Sequence, residues 1–214
     1  MNIYWFGHSC FLIKTSKSKR ILTDPFDLDI GYVPFKGFVD IVTISHSHFD
    51  HNCTKYLNKD THILNEKVFY ECEFFNIKSF TSFHDELNGN KRGDNLIFKF
   101  VIDDIVLCHL GDLGHILSKK TILDLGHIDI LFIPVGNYFT INLNIVKKLI
   151  DLISPKYIIP MHYKTKNFKF FLDGIDKFLL KMKSYKKTTS NMLSVDKTSL
   201  PNESTIVILN ICEN

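Results

Sequence analysis

Alanine and glutamine are absent from this 214-residue chain, and arginine occurs twice against 24 lysines. That bias marks an AT-rich genome and carries no chemistry. Five cysteines, an odd number with no CxxC spacing, do not suggest a disulfide framework and read as reduced thiols in or near the core. No apolar run approaches the roughly 20 residues that cross a bilayer, so no membrane role is expected. The opening stretch MNIYWFGHSCFLIKT lacks the basic region and small-residue cleavage site of a secretory signal. The expectation is therefore a cytoplasmic protein. Net charge is only +3, yet residues 147–197 hold twelve lysines against four aspartates. Such a surplus either attracts anions or solvates a surface, and the second reading is the commoner.

What is present is ordinary globular material, 45% hydrophobic and 23% charged, in a length suited to a single domain over residues 1–214. Its first half reads as strands: IYWF, CFLIKT, RILT, then VDIVTI over 39–44 after a Pro/Gly loop at 25–37. THIL, IKSFTSF, NLIFKFVI and DIVLCHL follow, the last two flanking an Asp103-Asp104 turn. In the second half helix and strand alternate. SKKTILDL is a helix capped by Ser118, HIDILFIPV a buried strand, LNIVKKLIDLI (143–153) an amphipathic helix and KYIIPM a strand. DGIDKFLLKMK is a helix and STIVILNI a closing strand, with residues 184–203 between them read as a surface loop. Strands followed by mixed units predict central sheets with helices outside, an α/β (α+β) fold.

Residues 45–51 read SHSHFDH, and this run carries the chemistry. On an extended strand end, His46 and His48 share a face. A helix beginning near Asp50 would turn Asp50 and His51 another way, toward a second ion. Imidazole and carboxylate suit Zn²⁺ and similar divalent ions, each needing three or four donors. Four residues cannot complete two sites. His84 after IKSFTSF, Asp112 after DIVLCHL and His162 after KYIIPM each lie just past an apolar strand, where loops gather at one sheet edge.

In this order, SHSHFDH, His84, GDLG (111–114) and PMHY (160–163) resemble the metallo-β-lactamase-fold hydrolases over nearly the whole chain. GHSCF and TDPF (23–26) resemble the subgroup with the bacterial L-ascorbate-6-phosphate lactonases and related cytosolic hydrolases. The resemblance implies a four-layer αβ/βα sandwich with metals at one edge of two sheets. It implies that His46, His48 and His84 bind one ion, that Asp50, His51 and His162 bind the other, and that Asp112 bridges them. Asn137 stands where relatives often carry Gly or Asp, in a loop facing substrate. The GHSC turn falls near the metals, so His8 is expected to face ligands or substrate. Asp24 is expected either to orient a ligating histidine or to cap a turn. His109 and His115, on either side of Asp112, read as supporting residues.

Two such ions, most simply Zn²⁺ with Mn²⁺ or Fe²⁺ as alternatives, would share a hydroxide and supply the nucleophile. Asp50 and Asp112 are then the catalytic carboxylates. His48 stands where diiron flavoproteins of similar sequence carry Glu, which argues against redox chemistry. The expectation is a metal-dependent hydrolase cleaving an ester, lactone or phosphoester in a small molecule, anionic ones included, with homo-oligomerisation left open. The rivals are a phosphodiesterase or nuclease of the same fold using the lysine-rich segment, nucleic acid being the less favoured partner, and a non-catalytic metal-binding module.

Overall fold

Two mixed β-sheets packed face to face form the centre of the molecule. The computed structural model describes residues 1–212. The first sheet contains β1 (Asn2–Gly7), β2 (Cys10–Lys14), β3 (Arg20–Thr23), β4 (Ile41–Thr43) and β5 (His62–Leu64). The second begins with β6 (Phe69–Glu71), β7 (Phe75–Phe83), β8 (Asp94–Ile102) and β9 (Ile105–His109). Helix α1 (Lys119–Leu125), β10 (Ile130–Pro134), α2 (Leu143–Ile153), β11 (Tyr157–Met161) and α3 (Ile175–Lys181) follow. Then come β12 (Lys186–Ser190), β13 (Leu193–Ser194) and β14 (Thr205–Leu209). The first sheet runs β13-β1-β2-β3-β4-β5 and the second β12-β14-β11-β10-β9-β8-β7-β6. Among the described residues no helix is long and apolar enough to cross a membrane.

Strand alternation explains why β1–β4 are apolar on both faces. Ile3, Trp5, Phe11, Ile13, Ile21 and Ile41 face the second sheet. Phe11 meets Phe132 of β10 with ring centroids 4.5 Å apart. Phe6, Leu12, Leu22 and Val42 point the other way, onto Phe26, Ile30, Tyr32 and Phe35 from the 25–37 loop. That loop, with a 3-10 turn at Leu28–Ile30, supplies much of the outer cover on this side. On the second sheet, α2 buries Val146, Leu149 and Ile150, the i, i+3, i+4 face read from its spacing.

The parallel pairs β9–β10, β10–β11 and β11–β14 require crossovers, and α1 and α2 supply the first two. Parallel strands all end at one edge. β3 and β4 are parallel as well, and β7 is antiparallel to β8, itself antiparallel to β9. Thus the C-terminal ends of β7, β9, β10 and β11 share one rim, where segments carrying His84, Asp112, Gly136 and His162 emerge.

Three expectations change. Residues 184–203 are not all loop: β12 pairs in parallel with β14, and β13 pairs with β1. Both are short edge strands, and the lysines and threonines of β12 are exposed, as befits an edge protected from further pairing. The polarity of β12 and the two-residue length of β13 hid them. No helix starts at Asp50; residues 49–51 form a turn, the His51 amide donating to the His48 carbonyl at 3.0 Å. Nor does an extended strand carry His46 and His48. β4 stops at Thr43 and the chain bends through 45–47, because Asp24 captures the Ser45 amide at 2.7 Å.

Asp129 locks the start of this parallel array. Its carboxylate accepts from the Val106 amide at 2.9 Å and from His127 at 2.8 Å. Burial alone would raise its pKa, but the Val106 amide, His127 and Lys197 hold it below the usual range. A depressed carboxyl stabilises the fold above its unfolded value near 4 and stops doing so as pH falls through the folded value. Asp129→Ala should therefore cost about 1–3 kcal/mol at pH 7 through the orphaned amide and lost charge. Denaturant titration at pH 7 and in strong acid checks this: a gap to wild type that does not narrow in acid would refute it.

Candidate metal centre

Among the described residues ten non-glycine positions have positive φ, and three of them, His8 (52°), Asp24 (39°) and His162 (52°), are candidate site residues at strand ends. Such backbone strain persists only where the surroundings enforce it. Here turns at the rim aim three side chains inward.

Asp24 is the organiser. Fully buried, it accepts from the Ser45 amide and the Ser45 hydroxyl, each at 2.7 Å, and from His51 Nδ1 at 3.0 Å. With the Ser45 proton given to Asp24, Ser45 Oγ accepts from His46 Nδ1 at 2.9 Å. Both rings are thereby fixed with Nε2 pointing inward, the arrangement that orients ligating histidines. Asp24→Asn should lower metal affinity about 10–100-fold while leaving the ligands in place; competition titration against a chromophoric chelator reads it, and unchanged affinity would exclude an orienting role.

Asp112 lies at the centre. Its Oδ2 is 3.0 Å from His162 Nε2, 3.1 Å from His84 Nε2, 3.4 Å from His51 Nε2 and 3.9 Å from His46 Nε2. The Asp112 amide donates to Asn95 Oδ1 at 2.9 Å, and Asn95 in turn donates to Ser82 and to the Leu110 carbonyl. Gly111 is required beside it, since a Cβ there would overlap Asn95 and Ser45. His46 Nε2 and His48 Nδ1 are 3.0 Å apart. His8 Nε2 is 3.1 Å from both Asp50 Oδ2 and His51 Nε2.

These atoms fall into groups whose donors all lie within 4.8 Å of one another: His46, His48 and His84; His8, Asp50, His51 and His162; and His46, His51 and Asp112 between them. The second group includes His8, which the sequence set beside the ligands. A carboxylate oxygen has about two lone-pair positions, yet four imidazole nitrogens surround Asp112 Oδ2. Hydrogen bonding cannot satisfy them all, whereas shared cations can. Tetrahedral ligands at 2.0–2.1 Å sit roughly 3.3 Å apart, in keeping with the separations above. Asp112 Oδ1 and Nδ1 of His8, His84 and His162 are buried without partners. The donor set fits divalent metal.

Electrostatics agree. Burial, then the neighbouring His51, lowers His46 to about 3, and burial and His162 lower His8 to about 4, so both rings are neutral with lone pairs available. Burial opposes charge on Asp112, yet His162 and His51 hold it well below the carboxylate range. Burial likewise opposes charge on His51, which Asp112 and Asp50 hold well above its usual value.

His109 stays outside the donor groups: it donates from Nε2 to the Ser9 carbonyl at 2.9 Å and receives the Gly111 amide at 3.2 Å, bracing the Asp112 loop. His115 receives the Phe83 amide at 3.2 Å. Asn137 does not line the cavity over the centre. Its amide turns to Asp173 at 3.3 Å, drawn by a buried carboxylate that Lys177 also contacts. Sequence reasoning passed over Asn95, Ser45 and Arg92. A polar residue opening the apolar run NLIFKFVI, and one of two arginines in a lysine-rich chain, were the available signals.

The cavity has a volume of about 270 Å³ and is floored by His8, His48, Asp50, His84, Asp112 and His162. Phe49, Phe139, Phe168, Phe170, Leu172 and Arg92 wall it.

The profile of the beta-lactamase superfamily domain matches residues 2–162. A Thermotoga maritima crystal structure, assigned to the Zn-dependent hydrolases of the metallo-β-lactamase superfamily, is 36% identical, with a TM-score of 0.80 and 97% of each chain covered. A UPF0173 protein of Pyrococcus abyssi is 31% identical over 77% of this chain and 84% of its own. A UPF0173 metal-dependent hydrolase of Carboxydothermus hydrogenoformans is 27% identical over 77% and 85%.

Proposed function

Because the chain belongs to the beta-lactamase superfamily domain family, with relatives named metal-dependent hydrolases, we propose that it cleaves an ester, lactone or phosphoester bond of a small molecule at a dinuclear, zinc-filled centre. The observation that carries this reading is Asp112 Oδ2 among four imidazole nitrogens, between two donor groups. His46, His48 and His84 would hold one ion, and Asp50, His51 and His162, with His8 beside them, the other. Divalent ions held there would supply Lewis acidity and bring the pKa of water toward neutrality.

The chain's own part is orientation and charge. Asp24 and Ser45 fix the tautomers of His51 and His46. Asp50, whose side chain is 19% exposed against 3% for Asp112, is the carboxylate most open to the cavity. Burial opposes its charge, yet His51 and His8 hold its carboxyl well below the usual range, so it stays ionised beside the substrate, paired with His8 at 3.1 Å. Among the described residues that line the cavity there is no Ser, Thr, Cys, Lys or Tyr to act as a nucleophile. Burial pushes the Cys108 thiol up to about 12, Cys53 does not line the cavity, and the Ser45 hydroxyl is committed to Asp24. The phenylalanine wall, with a single cation, argues against a nucleic-acid strand as substrate.

Elemental analysis of protein purified without added metal should return about two equivalents of zinc per chain. Chelation should abolish turnover in an ester, lactone and phosphodiester panel, and zinc should restore it. Undiminished turnover by metal-free protein would sink the proposal.

A further inference from the structure

The cavity's wall differs from its floor in a way that bears on the substrate. Phe49, 55% exposed, and Phe170, 38% exposed, meet edge to face at 5.6 Å. Phe168 continues the surface, 5.6 Å from Phe170, and stacks on His8 at 4.9 Å. Large apolar side chains gathered at the mouth of a polar-floored cavity form a binding surface for an apolar, flat group.

Arg92 interrupts that wall. It is the only arginine or lysine among the described residues that line the cavity, and its guanidinium lies over the Phe139 ring at 4.6 Å. Every ion pair among the described residues uses a lysine, a histidine or the amino terminus; none uses Arg92. Its position is nevertheless built. Asp85, buried and next to His84, accepts the backbone amides of Leu87, Gly89, Lys91 and Arg92 at 2.7–3.0 Å. The loop that carries Arg92 is thus tied to the segment carrying His84. A guanidinium stacked on an apolar wall, without a carboxylate of its own, matches one incoming carboxylate in charge and shape.

We propose that the cavity selects molecules in which a flat apolar body is joined to a carboxylate, the phenylalanine wall holding the body and Arg92 pairing with the carboxylate. The statement rests on the hydrolase reading only for the bond that is cut.

The test uses the zinc-loaded full chain and three nitrophenyl esters sharing a phenylene body, ending in a carboxylate, its methyl ester or a phosphate. Wild type should prefer the carboxylate over the neutral ester by about tenfold or more in kcat/KM, the scale of a charged hydrogen bond. Arg92→Ala should erase the preference mainly through KM, the carboxylate ester losing about tenfold more than the neutral ester, and Arg92→Lys should recover only part. Equal rates for the first two esters, or a preference for the phosphate, overturn the proposal. Calorimetry with phenylbutyrate and phenylbutanol separates recognition from turnover. Phenylbutyrate binding about tenfold weaker in Arg92→Ala, with no ester cleaved, would retire the hydrolase reading and keep the recognition. Binding indifferent to Arg92 overturns the proposal whatever the turnover.

Discussion

Asp112→Asn should reduce kcat/KM by roughly three orders of magnitude or more, a loss of about 4 kcal/mol in transition-state stabilisation. The substitution keeps the volume and the hydrogen bond from the Asp112 amide to Asn95, which uses backbone and not side chain. What it removes is the negative charge that four imidazole nitrogens surround. Without that charge the two donor groups lose the carboxylate that lies between them, grouped with His46 and His51. Bound zinc should fall from about two per chain to one or none. Circular dichroism should stay native, so the loss cannot be assigned to unfolding. A variant that keeps both ions and more than a tenth of its turnover would remove Asp112 from the centre.

The second large effect concerns a residue with no side chain. At Gly114 a Cβ would overlap the backbone of His84 and Asp85. The Gly114 amide also donates to the Phe83 carbonyl at 2.9 Å, so this segment is held against the end of β7. Backbone cannot swing aside as a flexible side chain can. Gly114→Ala should cost about 3 kcal/mol, the upper end of ordinary overpacking, or more. It should also displace His84 from the group it forms with His46 and His48. Gly174→Ala is the control, because a Cβ there meets only open space apart from the Lys164 carbonyl at 4.0 Å; it should stay within about 1 kcal/mol of wild type. Denaturant midpoints and zinc content read both variants. Equal stability for the two would show that the rim can relax, against the packing described here.

Elements whose signals are local were legible in the sequence. Helix α2 has the bounds read from its spacing, since Asn142 caps its first amides and Ser154, with φ 50°, ends it before Pro155. The Asp103-Asp104 turn also declares itself, both residues taking the positive φ that a two-residue hairpin demands. β12 and β13 did not, because an edge strand needs only backbone partners: the side chains of β12 stay polar, and β13 is two residues long. The donor residues were legible as types at strand ends. Their convergence was read through an extension of β4 past Thr43 and a helix at Asp50, neither of which forms; the bend enforced by Asp24 and Ser45 brings them together instead. Asn95, Arg92 and the phenylalanine wall were illegible for a deeper reason. Residues 49, 92, 139, 168 and 170 meet only after four separate segments fold onto one rim, and nothing in their local spacing reports that meeting.

The shared strand direction that gathers the donors also places the opposite rim away from the cavity. There the Asp103-Asp104 hairpin reaches across to the first sheet, Asp103 accepting from the Ser16 amide and hydroxyl at 2.8 and 2.7 Å. It lies at the start of β9, whose far end leads to Asp112. That rim offers an engineer a handle: a surface, dye or fused partner attached along it would leave the cavity mouth facing free solution.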